Sequence, residues 1–172
     1  MASNIIKNLD NFYYHHTENK TCSNSNQHYH SGFEIYYMKE GKCHYFINDK
    51  SYDIVSGDIV LIPAGLIHGT NYGSKPCTRL LINFQNDFID KSLMSALLDI
   101  GYLYKNRETQ ALVNIIFDAI EKEYLANDDI SSASLKALTE SLVSLIIRNW
   151  KSGITREHNT IVEATIKYIQ EN

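Results

Sequence analysis

The feature that most constrains this chain is a change of pattern at Phe84. Between Asn11 and Phe84, short stretches rich in Tyr, Ile, Val and Phe are separated by pairs such as Glu40-Gly41, Asn48-Asp49 and Ser56-Gly57, with no helical stretch among them. β-Branched and aromatic residues suit a pleated surface, while Gly, Asn and Asp tolerate the backbone of tight turns. The pattern predicts strands over residues 12–16, 28–39, 42–47, 50–54, 58–62, 68–72 and 78–84. Such close spacing leaves no room for crossover helices and points to a sandwich or barrel. The polar stretch 17–27 reads as a loop. Beyond Phe84 the apolar residues recur at helical spacing: Leu93, Leu97 and Ile100 over 90–104, then Val113, Ile116, Phe117, Ile120 and Tyr124 over 107–126. A third helix runs from a cap at Ser131 or Ser132 to about Trp150. A fourth, from Thr160 to the terminus, carries Val162, Ile166 and Ile169 on one face.

With 44% hydrophobic and 21% charged residues, the 172-residue chain can bury one core. Sixteen Lys and Arg against twenty Asp and Glu leave a net charge of −4, which argues against a surface that neutralises phosphates unaided. Residues 1–12 contain no apolar targeting core, and no apolar run is long enough to span a bilayer, so a cytoplasmic location is expected. Cys22, Cys43 and Cys77 form no C-x-x-C pair and read as three reduced thiols.

The chemistry is concentrated in two segments. The first is His28-x-His30-x3-Glu34-x6-Gly41, the second Gly57-x5-Pro63-x-Gly65-x2-His68-x2-Asn71. Side chains alternate faces along a strand, so His28, His30 and Glu34 share parity and can converge, provided Ser31-Gly32 introduces no bulge. Pro63-x-Gly65 ends the strand over 58–62 and returns the chain with His68 as a fourth donor. Three imidazoles and one carboxylate suit a divalent transition metal such as Zn, Ni, Fe, Mn or Co, without selecting one. The same groups could instead hydrogen-bond an organic effector.

These segments resemble the two motifs of the cupin superfamily, whose ligand types fall on His28, His30, Glu34 and His68. Cys22 stands where the first motif has Gly, and Asn71 arrives one residue early, departures that touch loops and no ligand. The runs from His30 to Tyr37, Gly57 to Pro63 and Leu81 to Phe84 narrow the likeness: the chain resembles the amino-terminal sensing domain of AraC-type transcription regulators. That resemblance implies a mainly β chain with C-terminal α: a cupin-type double-stranded β-helix, or jelly-roll barrel, followed by helices. Residues 1–86 would form the sensing barrel with its amino-terminal arm, 87–156 a helical dimerisation segment, and 157–172 the start of a DNA-binding domain. Residues 1–14 would be a lid.

Alternate residues of the strands should line the lumen, with Tyr36, Met38, Tyr45 and Tyr52 as the expected effector pocket, joined by Ile47 and Ile62. Leu135, Leu138, Leu142 and Leu145 repeat in a 3-4-3 spacing that can pack against the preceding helix or pair with a second copy. The resemblance implies that pairing. The partners expected are therefore a small-molecule effector, a sugar by family analogy, a second copy of the chain, and DNA only through residues beyond these. An alternative reading of the same ligand set is a small metal-dependent cupin enzyme, a dioxygenase or a sugar isomerase or epimerase.

Overall fold

A computed structural model describes residues 11–21, 26–73, 75–105 and 108–153. The expected helix over 160–172, and with it the expected start of a DNA-binding domain, lies outside the described residues. The strands are β1 (Phe12–Thr21), β2 (Phe33–Glu40), β3 (Lys42–Ile47), β4 (Lys50–Val55), β5 (Asp58–Ile62), β6 (His68–Asn71), β7 (Pro76–Phe84) and β8 (Leu103–Lys105). The helices are α1 (Lys91–Leu98), α2 (Gln110–Ala126) and α3 (Ser131–Gly153). Two antiparallel sheets form, in the strand orders β1-β7-β2-β5-β8 and β4-β3-β6. The architecture is the expected one, mainly β with C-terminal helices.

Period-two alternation sorts the five-stranded sheet into two buried faces. Phe33, Ile35 and Tyr37 of β2, Ile59 and Leu61 of β5, and Leu80, Ile82 and Phe84 of β7 join one core with the three helices. Tyr36 and Met38, Val60 and Ile62, and Cys77 face the other way, into a second core shared with Cys43, Tyr45 and Ile47 of β3 and Ile54 of β4. That second core is the barrel interior. β2 and β5 are apolar on both faces for this reason, whereas β3, open to water on one side, alternates strictly between buried and exposed.

The turn pairs do what their residues allow. Gly41 sits at φ 94° between β2 and β3, where a Cβ would meet the Pro76 carbonyl oxygen at 3.0 Å, so any side chain there would be strained in its backbone and crowded. Asn48 takes φ 53° in the two-residue loop between β3 and β4.

Several expectations are corrected. β2 begins at Phe33, because the backbone at His28 and His30 leaves the ladder. β1 continues to Thr21 through what reads as a polar loop, held by its pairing with β7. Phe12 and Tyr14 belong to that strand and are buried against Tyr124 of α2, so residues 12–14 of the expected lid form sheet, while residues 1–10 lie outside the described residues. β8 falls inside the first expected helix: α1 ends at Leu98, and Leu103 and Tyr104 pair with Val60 and Ile59. Asp128 rather than a serine receives the start of α3, its Oδ1 accepting from the backbone N–H groups of Ile130 and Ser131. Cys43 is a free thiol, but Cys77 is disulfide-bonded, against the expectation of three reduced thiols.

Leu135 and Leu142 are fully buried in the helix-side core, with Leu138 and Leu145 packed against it. The heptad-like seam is therefore occupied by packing within the chain. No helix of the described residues is long and apolar enough to cross a membrane.

Candidate functional site

The Pro63–Gly65 turn builds the site through its backbone. Gly65, at φ 78°, donates its N–H to the His30 carbonyl at 2.8 Å, which ties the turn after β5 to the segment before β2. The chain then re-enters at His68, which pairs with His28 through two backbone hydrogen bonds of 2.9 and 3.0 Å. Their imidazole centroids consequently lie 4.3 Å apart, and those of His30 and His68 lie 4.8 Å apart. Glu34 points inward from β2 and accepts a 2.8 Å hydrogen bond from the Tyr45 hydroxyl on the opposite sheet.

Each histidine is oriented by a backbone carbonyl two residues away. Nδ1 of His28 donates to Asn26 at 2.9 Å, that of His30 to Gly32 at 2.8 Å, and that of His68 to Leu66 at 2.9 Å. A carbonyl only accepts, so the proton is held on Nδ1 and every ring turns Nε2 away from its own backbone. Nε2 of His30 lies 3.2 Å from Glu34 Oε2, and that of His68 lies 3.9 Å from the same oxygen. His68 Nε2 is closed to water and has no hydrogen-bond partner.

The three groups titrate apart. Burial would lower the His30 pKa, but the hydrogen bond and charge of Glu34, with the Gly32 carbonyl, together raise it above 6.5. Burial would raise the Glu34 pKa, yet the His30 hydrogen bond, the charges of His68 and His30 and the Tyr45 hydroxyl bring it below 4.5. For His68, burial prevails over the Leu66 carbonyl and Glu34, and its pKa falls below 6.5. His68 is thus the neutral imidazole with a bare Nε2, and His30 the proton holder beside an ionised carboxylate.

A pH prediction follows for the metal-free protein. A raised histidine pKa contributes stability that is fully present below 6.5 and is lost as pH rises through the folded value. Urea unfolding of wild type and His30→Gln should therefore differ more near about pH 5.5 than near about pH 8. An equal difference at both values would contradict the His30–Glu34 pairing.

His30, Glu34 and His68 present ligand atoms all within 4.8 Å of one another. An unpartnered buried imidazole nitrogen beside a carboxylate and a second imidazole is a donor set that fits a divalent transition metal. His28, the fourth expected donor, is exposed and stands at the edge of this group. The irregular backbone at Ser31 and Gly32 lets His30 and Glu34 meet. A Cβ on Gly32 would collide with Asn83 Oδ1 and lie 2.8 Å from the Phe84 carbonyl oxygen. Gly32→Ala should cost about 1–3 kcal/mol in urea unfolding and displace His30, whose Nδ1 bonds the Gly32 carbonyl. A neutral substitution would contradict that close approach.

The cluster opens on a cavity of about 210 Å³ inside the barrel. Its walls include His28, Glu34 and His68 at one end and Tyr36, Tyr45 and Tyr72 beyond them. Of the expected pocket residues, Tyr36 and Tyr45 line it. Met38 is fully buried without reaching the cavity, and Tyr52, on the edge strand β4, is only half-buried. Thr70, Tyr72, Arg79 and Leu81 also line it and were not anticipated. For Arg79 and Leu81 a signal exists: they share period-two parity with Cys77, opposite to Leu80, Ile82 and Phe84. Two other described histidines lie elsewhere, with His16 Nδ1 3.0 Å from Glu121 of α2 and His44 paired with Asp53 in solvent.

Residues 13–143 match the protein family described as the AraC-like ligand binding domain. Among solved structures, apo ToxT K231A from Vibrio cholerae is similar over 92% of this chain and 65% of its own, with 13% identity and a TM-score of 0.53. A cupin-like protein from Thermotoga maritima is 20% identical over 47% of this chain and 65% of its own, with a TM-score of 0.42. The DMSP lyase DddQ from Ruegeria pomeroyi is 21% identical over 44% of this chain and 39% of its own, with a TM-score of 0.39. The chain thus spans less than two thirds of each of these proteins. No curated protein matches the sequence.

Proposed function

The chain belongs to the AraC-like ligand binding domain family, and from that premise we propose that it is the effector-sensing and dimerisation part of an AraC-type transcription regulator. On this reading the barrel admits a small polar molecule, a sugar or a sugar derivative. The observation that carries it is the cavity of about 210 Å³ with a histidine and carboxylate cluster at one end and tyrosines along its walls. Aromatic faces with polar tips suit a compact, hydroxylated ligand.

An effector acts by binding one arrangement of barrel and helices better than another. β2 links the two sides. Its Glu34 faces the cavity, while its Tyr37 stacks on Phe117 of α2 at 5.4 Å and donates to Asn114 Oδ1 at 2.8 Å. A shift of β2 on ligand entry would reach α2 through that contact. His30, Glu34 and His68, with His28 beside them, would hold a divalent transition metal where one is bound. Such a metal would supply a Lewis-acidic anchor for an effector oxygen.

The division into a sensing barrel over 1–86 and helices over 87–156, the DNA-binding continuation and the cytoplasmic location belong to the same proposal. So does a homodimer: sedimentation at tens of micromolar should give twice the chain mass, and a clean monomer would contradict it. A metal-dependent cupin enzyme is the second reading, favoured by the compactness of the three-donor group.

The sensing reading is tested by thermal shift with monosaccharides and sugar acids. A ligand at 100 times its Kd stabilises by about 2.7 kcal/mol, which for a chain of this size raises Tm by roughly 5–10 °C. No saturable shift with any of them would count against it.

A further inference from the structure

We propose that the effector carries a carboxylate, bound by Arg79 at the end of the cavity away from the histidine cluster. This rests on the sensing reading above and specifies its ligand. Arg79 lies in the interior of β7, with Thr17 of β1 and Met38 of β2 as its register neighbours, and its side chain lines the cavity. Its guanidinium carbon stands 5.9 Å from the ring centroid of Tyr36 and 5.9 Å from that of Tyr72. Its Nε is closed to water and has no hydrogen-bond partner, and no carboxylate pairs with it among the described residues.

A guanidinium is always charged and offers a planar fork of donors that matches a carboxylate with two parallel hydrogen bonds. Placing one partly out of water against two tyrosine faces recovers some of its hydration, but the donors stay unspent. An entering oxyanion would satisfy them. The rest of the cavity sets the ligand's direction. At the other end the Glu34 oxygens already face the Tyr45 hydroxyl and His30 Nε2, so a second carboxylate would meet oxygens rather than free donors there, while Tyr45 and His68 suit hydroxyl groups. The carboxylate therefore belongs at Arg79 and a hydroxylated carbon chain at the cluster. Size narrows the class further. The cavity is below the roughly 300–1,000 Å³ of drug-sized sites. A short hydroxycarboxylate or a sugar acid fits these constraints, and a phosphate ester, with a bulkier head on the same skeleton, fits them less well.

The test uses the chain with glycolate, malonate and gluconate as acid probes, glycerol and glucose as neutral ones, and glucose 6-phosphate as the phosphate arm, at matched ionic strength. At least one acid is expected to bind saturably. Its Kd should rise about 10- to 100-fold in Arg79→Gln and less in Arg79→Lys, which keeps the charge but loses the fork. Should Arg79→Gln fail to fold, wild type alone decides: raising NaCl from about 50 to about 500 mM should weaken the acid and leave neutral probes unaffected. Neutral probes binding as well as acids, with Arg79→Gln indifferent, would overturn the carboxylate assignment and leave the sensing reading standing. Tighter binding of glucose 6-phosphate than of gluconate would overturn it in favour of a phosphate. Binding of neither class would remove both.

Discussion

Glu34→Ala should lower the affinity of the barrel for divalent transition metals by more than about 100-fold. Loss of a group that merely orients a metal ligand costs about 10- to 100-fold, and Glu34 is the only charged donor of its group, so its removal should exceed that range. Equilibrium dialysis against Zn(II) and Ni(II), with protein prepared without an affinity tag, measures the effect. His30 Nε2 and His68 Nε2 both face this carboxylate, at 3.2 and 3.9 Å. Without it, two imidazoles remain, His68 buried and His30 half-buried, the Tyr45 hydroxyl loses its acceptor, and a dication would have no negative charge to offset its desolvation. Glu34→Gln keeps the volume and separates charge from shape: it should bind metal as poorly as Ala while perturbing the fold less. Equal affinity in wild type and Glu34→Ala would remove the metal from the account and leave the cluster as a set of hydrogen-bonding groups.

Phe117→Ala should destabilise the chain by about 3–5 kcal/mol in urea unfolding. Phe117 is fully buried between α2 and the helix-side face of β2, with its ring stacked on Tyr37 at an interplanar angle of 15°. Truncation leaves a cavity in a core whose members in β2 and α3, such as Ile35 and Leu142, are fully buried, so collapse is limited. Loss of the aromatic pair adds to the cost of lost area. If β2 conveys ligand entry to α2, the same variant should also uncouple binding in the barrel from any change in the helices. A cost below about 1 kcal/mol would show that the seam is looser than its packing implies.

Much of the fold was legible because local chemistry and global arrangement agree. β3 and β5 fall on the expected residues, since Glu40-Gly41, Asn48-Asp49 and Ser56-Gly57 supply the turns that delimit them. The double-sided burial of β2 was legible as alternation, with Tyr36 and Met38 on the lumen parity. What escaped is what only tertiary contact decides. β8 is three residues long and exists through its pairing with β5, so in the sequence it reads as the tail of the helix expected over 90–104. The heptad spacing of Leu135, Leu138, Leu142 and Leu145 specifies an apolar seam but not whether α2 or a second chain fills it.

The candidate site divides in the same way. Motif spacing brought His30, Glu34 and His68 into view, and the structure gathers these three. It leaves His28 exposed at the edge of the group, ahead of the first ladder residue of β2. Arg79 was readable only in parity. A charged residue on the inward side of an apolar strand gains meaning once Tyr36 and Tyr72 are seen around it.

The most direct test is a binding isotherm joined to chemical recovery. The tightest probe from the acid and neutral series is titrated into wild type and into Leu81→Trp, which fills the cavity, and the bound molecule is then released and identified by mass spectrometry. A sensing barrel predicts saturation at one molecule per chain, loss of binding in Leu81→Trp and recovery of the ligand unchanged. Binding that survives the filled cavity, or release of a converted product, would contradict it.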